Sequence, residues 1–552
     1  MRWLIVVSLI VWAANPQAGN AQVNEMDPYY PHRKFPKLIT PQWVGEDGVE
    51  AVVILAIDDM KEPKRYEAFL RPILRRLQKI DGRAPVSIMS CSVDPADPQL
   101  QTWLKEGLSI ECHTFDHPCP FFKGGFDKAK GTYDKCVDLM HAIPNTKPVA
   151  FRMPCCDSLN TPSPRFWAEI FNKATAKGNY LTIDSSVFNV FTSDDPALPK
   201  ELVRDAKGGE RFKKYLPTDR SFVNTIENYP YPYVIGKLCW EFPCMTPSDW
   251  QAQHLQKPCN PQTVEDWKAV LDCTVIKQGV FAFVFHPHGW IKNDQMVEFI
   301  DYAVAKHGKK VKFLTFKEAQ ERLDRSLFDG ASLRELRTKP NVSVSLQDSR
   351  HQGYLDCCVD EFRDGKAIQS IRNWQSNTRA WTKTRIETPL AKPQPVSEEV
   401  ESVHTVLFST KQGPDYLTII QYRQRSSVAD PQLGKTVPFT LPPGARLRGR
   451  DGREHGLVFI DLDGDGYLDV IISNEKEYGI YLFKDMEEGW SRKVIAGKAG
   501  EPDALPMIAR NGTNNGFWVH SGSLWWSNED TVLLKDHVDR RSIKALLQRA
   551  PR

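Results

Sequence analysis

AVVILAIDDM, residues 51–60, decides how this chain is read. Seven apolar residues run without interruption and end on two adjacent acids, Asp58 and Asp59. A run of this kind, with no polar alternation, reads as a strand covered on both faces, as in parallel sheets flanked by helices. Six more short β-type runs follow: APVSIMS (84–90), LSIEC (108–112), PVAFRM (148–153), YLTIDSS (180–186), VFAFVF (280–285) and VKFLTF (311–316). Helical periodicity fills the spaces at Pro63 to Lys79, Pro98 to Glu106, Lys128 to Ala142, Ser163 to Lys177, Thr263 to Lys277, Asn293 to His307 and Lys317 to Arg325. In the first of these, Tyr66, Phe69, Leu70, Ile73, Leu74 and Leu77 share one face. The alternation predicts an α/β fold, seven β/α units around a parallel sheet, within 22–330. A Pro- and aromatic-rich insertion at 190–262, with Tyr231, Tyr233, Trp240, Phe242 and Trp250, breaks the rhythm. It reads equally as a wall of a substrate cleft or as a packed cover.

The remaining composition is that of an ordinary globular protein. Of 552 residues, 41% are hydrophobic and 26% charged, and 72 Lys and Arg face 69 Asp and Glu. A net charge of +3 gives no footprint for nucleic-acid binding, and the length calls for two to four domains. Met1 and Arg2, an apolar run from Trp3 to Ala14, and small residues Gly19 and Ala21 follow the plan of a secretory signal peptide cut after Ala21. The run is too short to span a bilayer, so a secreted protein with no membrane span is expected, extracellular or in the cell envelope. Export makes the twelve cysteines potential disulfide partners. The adjacent pairs Cys155, Cys156 and Cys357, Cys358 are poorly placed for a bridge within each pair, so each cysteine bonds elsewhere or stays reduced.

The candidate chemistry sits at the ends of the strands. Besides Asp58 and Asp59, the third run leads into His113 and His117 (HTFDH), the fourth into Arg152 (FRMP), the fifth into Asp184, and the sixth into His286, with His288 two residues on (FHPH). In a β/α barrel these ends converge on one face, where active sites lie. Two histidines four apart with one carboxylate make the two-histidine, one-carboxylate set of a catalytic zinc. Such an ion activates water and polarises a carbonyl, a second carboxylate takes the water's proton, and a histidine across the site protonates the leaving group. Arg152 beside the base would favour its ionised form.

These motifs resemble those of the NodB-type polysaccharide deacetylases, metal-dependent carbohydrate esterases on a distorted seven-stranded (β/α) barrel, and the resemblance covers about residues 45–325. AIDDM stands for the family's TFDDG, which implies Asp58 as catalytic base and Asp59 as metal ligand. HTFDH is intact and implies His113 and His117 as the other ligands. FRMPCC keeps Arg152 but has Cys155 in place of the usual Tyr. Asp184 is placed in the fourth motif, where Val187 replaces an aromatic. VFH implies His286 as the acid, with His288 as its rival.

After about 335 the helical pattern stops and short strands bounded by Gly, Asn and Asp take over, with a linker expected near Phe328 to Pro340. GYLDCCV (353–359), DYLTIIQ (415–421), GYLDVII (466–472) and GFWVHSG (516–522) echo one another at intervals of about 50 to 60 residues, a spacing of propeller blades. An all-β, propeller-like domain is therefore expected over 341–552. Within it, DLDGDGYLD places Asp461, Asp463, Asp465 and Asp469 as in a calcium loop, flanked by strands rather than helices. The loop resembles FG-GAP or VCBS-type repeats, which implies structural Ca2+. Taken together, the readings give a secreted hydrolase using Zn2+, or another divalent transition metal, to remove acetyl groups from an N- or O-acetylated polysaccharide. The alternatives are a non-catalytic glycan-binding or adhesion protein and a small-amide hydrolase on the same barrel.

Overall fold

The computed structural model describes residues 29–218, 223–350, 352–363, 366–389, 400–409, 415–422, 426–430, 435–449 and 453–549; the expected signal peptide, 1–21, lies outside them. They form two compact units. One takes the described residues up to 389 together with Asn528–His537, and the other takes those from 400 to Ser527 and from Val538 onward.

The first unit is mixed α/β around one curled sheet. Its strands are β1 (Ala51–Met60), β2 (Val86–Ser90), β3 (Ser109–Cys112), β4 (Ala150–Phe151), β5 (Ile183–Asp184), β6 (Phe188–Val190), β7 (Thr225–Glu227), β8 (Tyr233–Ile235), β9 (Cys239–Glu241), β10 (Cys244–Met245), β11 (Val280–Phe285) and β12 (Val311–Phe313). They run in the order β7-β6-β10-β11-β1-β2-β3-β4-β5-β9-β8, and β12 pairs with the start of β1. Every pairing is parallel except β8 with β9. All seven predicted runs enter this sheet, yet it holds twelve strands, because the insertion contributes β6 to β10. These five are two or three residues long and lie in the Pro- and aromatic-rich segment that breaks the β/α rhythm, so the sequence pattern passes over them.

β1 lies at the centre. Ala51 to Ile57 are fully buried, as the unbroken apolar run requires, with Val52–Ile57 in register against Val280–Phe285. Helix Pro63–Asp81 buries Tyr66, Leu70, Ile73, Leu74 and Leu77 and stops at Gly82, whose positive φ of 79° suits a residue without Cβ. The helix expected over Ser163 to Lys177 is instead one turn, Pro164–Phe166, widening into a π-turn at Trp167–Phe171.

The expected linker is helical. Phe316–Phe328 and Leu333–Thr338 are capped by Thr315 and Ser332, and Phe328 and Leu333 join a core with Val344, Leu355 and Cys357. Strands β13 (Val342–Gln347), β14 (Asp356–Arg363), β15 (Lys366–Gln375) and β16 (Ala380–Pro389) form an antiparallel sheet that belongs to this first unit, so the boundary lies near 390 rather than 341. The second unit has two four-stranded antiparallel sheets, over 400–436 and 457–498, and smaller ones over 509–514 and 517–542. The first three sequence echoes each supply the second strand of a four-stranded sheet, and the fourth supplies Phe517–His520 of the three-stranded one. The repeat in sequence is thus a repeat of antiparallel sheets.

Candidate metal centre and acid–base site

Between Ile57 and Met60, β1 gains one residue over β2, and the bulge sends Asp58 and Asp59 to different partners. Asp59 has φ 68°, and Thr114 and His117 have φ 59° and 58°. Left-handed backbone at three non-glycine residues, at a cost of roughly 1–3 kcal/mol each, is strain concentrated on one spot. There, Asp59 Oδ1 lies 3.1 Å from His113 Nε2 and 2.8 Å from His117 Nε2. His113 leaves the end of β3, and a turn in which Thr114 Oγ1 accepts the His117 N–H brings the second imidazole beside the first, ring centres 5.1 Å apart.

The donor chemistry of this trio suits a zinc-type ion. His113 Nδ1 is 2.8 Å from the Arg152 carbonyl and donates its proton there, which leaves the Nε2 lone pair facing Asp59. One ligand atom from each of Asp59, His113 and His117 lies within 4.8 Å of the others. Burial works to raise the Asp59 carboxyl, but the close imidazoles of His113, His117, His288 and His286 outweigh it and hold the group well below the ordinary carboxylate range. A carboxylate facing two imidazole nitrogens is a donor set that could hold a divalent metal ion.

Asp58 is held separately. The fully buried Arg152 donates from NH1 to Asp58 Oδ1 at 2.8 Å, from Nε to the Ser185 carbonyl at 2.8 Å and from NH2 to Ser185 Oγ at 3.1 Å. The Tyr66 hydroxyl donates to the Asp58 carbonyl, so both ends of the residue are fixed.

Across the cluster, His286 Nε2 is 3.9 Å from Asp59 Oδ2, and its Nδ1 and backbone N–H both meet the Asp249 carboxylate at 2.8 Å. Burial alone would lower this imidazole's pKa; the Asp249 charge and hydrogen bond, with Asp59 and Asp58 behind them, push it up to about 10. His288 is set differently. Its Nδ1 accepts from Arg65 at 3.0 Å, so its proton is on Nε2, which donates to Asp59 Oδ2 at 2.9 Å. Trp290 packs against both imidazoles, at 4.9 and 5.1 Å.

Asp249 was not among the sequence candidates. It is the first residue of helix Asp249–Gln256, behind the cap Ser248 and just past β10. The signal was an N-cap serine followed by Asp-Trp in a segment with no readable strand before it. Asp184, which was a candidate, points elsewhere. Its carboxyl accepts from Ser186 Oγ at 2.6 Å, the Ser185 N–H at 3.0 Å and Trp167 Nε1 at 3.2 Å, and it hydrogen-bonds with Glu241. Burial pushes Asp184 up to about 6 and Glu241 well above its usual range, the state of two buried carboxyls sharing a proton. Asp184 therefore buttresses Ser185 and Ser186 rather than facing the cluster.

In the second unit, Asp461, Asp463 and Asp469 converge to within 4.8 Å, and Asp465 stands outside the trio. Gly464 and Gly466, at φ 79° and 89°, permit the turn, whose N–H groups close back onto Asp461. Among the described residues no helix is long and apolar enough to cross a membrane.

Fold and site together define a mixed α/β protein with an Asp-His-His cluster set between a carboxylate held by arginine and an imidazole held by aspartate. No family model and no curated protein matches the sequence. Among solved structures, the chain is similar to the catalytic domain of a peptidoglycan N-acetylglucosamine deacetylase from Eubacterium rectale, at 14% identity, covering 49% of this chain and 89% of that one with a TM-score of 0.27. It is also similar to the peptidoglycan deacetylase PdaC from Bacillus subtilis, at 15% identity over 51% of this chain and 95% of that one, TM-score 0.25. A third is a family 4 acetyl xylan esterase from Clostridium thermocellum in complex with a cobalt ion, at 12% identity over 49% and 89%, TM-score 0.25. Likeness at this level assigns no role to any residue, and the functional reading rests on the geometry above.

Proposed function

We propose that the protein is an exported, metal-dependent hydrolase that removes acetyl groups from an N- or O-acetylated polysaccharide, on a distorted (β/α) barrel. The observation that carries this reading is the division of labour around Asp59, His113 and His117, with Asp58 fixed by Arg152 and His286 fixed by Asp249. A zinc-type ion held by Asp59, His113 and His117 would supply Lewis acidity to the acyl oxygen and to a water. Asp58 takes the proton of the attacking water on its carboxylate, and Arg152 holds that carboxylate in place. His286 enters as the cation and gives its Nε2 proton to the departing amine or alkoxide, while Asp249 keeps the Nδ1 side paired. The acid thus starts with its proton in place, and the carboxylate across the cluster is held by arginine.

The second unit we read as FG-GAP or VCBS-like repeats, its antiparallel sheets as propeller blades, and Asp461, Asp463 and Asp469 as a structural Ca2+ site. The test is elemental analysis of the full chain alongside acetate release from acetylated glycans. Wild type is expected to hold one transition metal and to release acetate. His113→Ala/His117→Ala loses both, and Asp58→Asn keeps the metal and loses release. Metal retained in the double variant, or release unchanged in Asp58→Asn, would overturn the assignment.

A further inference from the structure

Of the two cysteines that stand side by side at 155 and 156, one faces the core and the other faces a loop. Cys156 is buried near Arg152 and Cys244. Cys155, half-buried with φ 54°, lies near enough to the half-buried Cys119 for the two thiols to interact.

The backbone around this contact is clamped. Asn160, 4% exposed, donates from Nδ2 to the carbonyls of Pro118 at 3.1 Å and Pro154 at 2.6 Å, the residues immediately before the two cysteines. Its Oδ1 accepts the Phe121 N–H at 2.7 Å. The Cys155 carbonyl collects the N–H groups of Ser158, Leu159 and Asn160, closing the second loop on itself. One side chain therefore brings two loops together at the points from which the thiols extend. A second pair of neighbouring thiols, Cys112 and Cys136, is fully buried and out of reach of an oxidant in solution.

We propose that Cys119 and Cys155 are a disulfide-forming site which, once oxidised, ties the loop that carries His117 to the loop that follows Arg152. With a small disulfide such as oxidised glutathione as the oxidant, one cysteine thiolate attacks its S–S bond, forming a mixed disulfide and releasing one glutathione thiol. The second cysteine gives up its proton and attacks the protein sulfur of the mixed disulfide, releasing the second glutathione. The two protein thiols are oxidised by two electrons and one glutathione disulfide is reduced to two thiols. The crosslink stands without the metal reading; its consequence, slower release of an ion held partly by His117, rests on it.

The test takes the full chain, reduced and then equilibrated with reduced and oxidised glutathione, alkylated, and mapped without reduction. A linked peptide pair joining Cys119 to Cys155 is expected, with Cys112 and Cys136 alkylated only after denaturation. Cys119 and Cys155 recovered as alkylated thiols, as separate glutathione adducts, or paired with other cysteines would overturn the proposal. Zinc-loaded chain is then challenged with a chromogenic chelator, and release is expected to be several-fold faster from the reduced protein and from Cys119→Ser/Cys155→Ser than from the oxidised wild type. Equal rates would overturn the tethering role even with the crosslink in place. A chain that binds no zinc in either state would defeat the metal reading, and the peptide map would still decide the crosslink.

Discussion

Asp249→Asn is the most informative substitution because it removes a charge and leaves a shape. In the wild type, the buried His286 imidazole rises from its ordinary 6.5 to about 10. At about 1.4 kcal/mol per pKa unit, that rise is on the order of 5 kcal/mol of preference for the cation, most of it tied to the carboxylate 2.8 Å from Nδ1. Asparagine keeps an oxygen in hydrogen-bond reach but no charge, and burial then pulls the imidazole to its ordinary value or lower. At pH 8 a histidine of pKa 6.5 is only about 3% protonated, so loss of the acid form alone costs roughly 30-fold. The expected result is a basic limb of kcat/KM that moves from the alkaline region to about pH 6.5 or below in the variant. An aryl acetate, whose leaving group needs no proton, should be spared while an N-acetyl substrate suffers. A cation seated on Asp59 opposes the imidazolium, so the limb of the zinc-loaded enzyme lies below about pH 10, but the direction of the mutant shift is the same. Stability follows the same sign. The folded pKa lies above the unfolded one, so this contribution is fully present below about pH 6.5 and is lost as pH rises through about 10; the thermal midpoint of the variant should be flatter across that window. A basic limb that stays put in Asp249→Asn, or equal losses on amide and activated ester, would refute His286 as the acid.

Three further outcomes follow from the same geometry. Glu241→Gln keeps an oxygen for the Ser186 and Val187 N–H groups and offers Asp184 a permanent donor. Because burial raises Asp184 to about 6 and Glu241 well above its usual range, the wild type loses stability as pH rises from about 4 through that range, and the amide removes part of that loss. The variant should match or exceed the wild-type melting midpoint at pH 8, and a larger drop at pH 8 than at pH 5 would contradict the shared proton. Arg65→Met removes the donor that fixes the His288 proton on Nε2, and zinc affinity measured by competitive chelation should fall by roughly tenfold with little change in melting; unchanged affinity would separate His288 from the centre. Calcium should raise the melting midpoint of the wild type and leave Asp461→Asn/Asp463→Asn unmoved; an equal shift in both would place the ion elsewhere.

Strands buried on both faces are legible because each position is apolar, and β1 and β11 could be read for that reason. The five strands of the insertion could not, since two or three residues flanked by proline and aromatics hold no period. The same contrast runs through the site. Asp59, His113 and Arg152 stand at or just past strand ends, where topology alone brings residues together. Asp184 satisfies that rule too, at the end of β5, but strand position does not say which way a side chain faces. Here it turns to Glu241 and Trp167, and Ser185 and Ser186 lie between it and Arg152. Asp249 breaks the rule, reaching His286 from the first turn of a helix. Residue type and position are legible as chemistry in waiting, whereas the role of each carboxyl is set by its neighbours. Beside Arg152, Asp58 faces a fixed cation; beside His286, Asp249 creates one; Asp184, wholly buried, is pushed towards its neutral form by loss of solvent. Three aspartates with one chemistry in the sequence thus become a candidate base, an orienting anion and a buried brace. The one of them that the strand pattern could not reach is the one on which the protonation of the candidate acid depends.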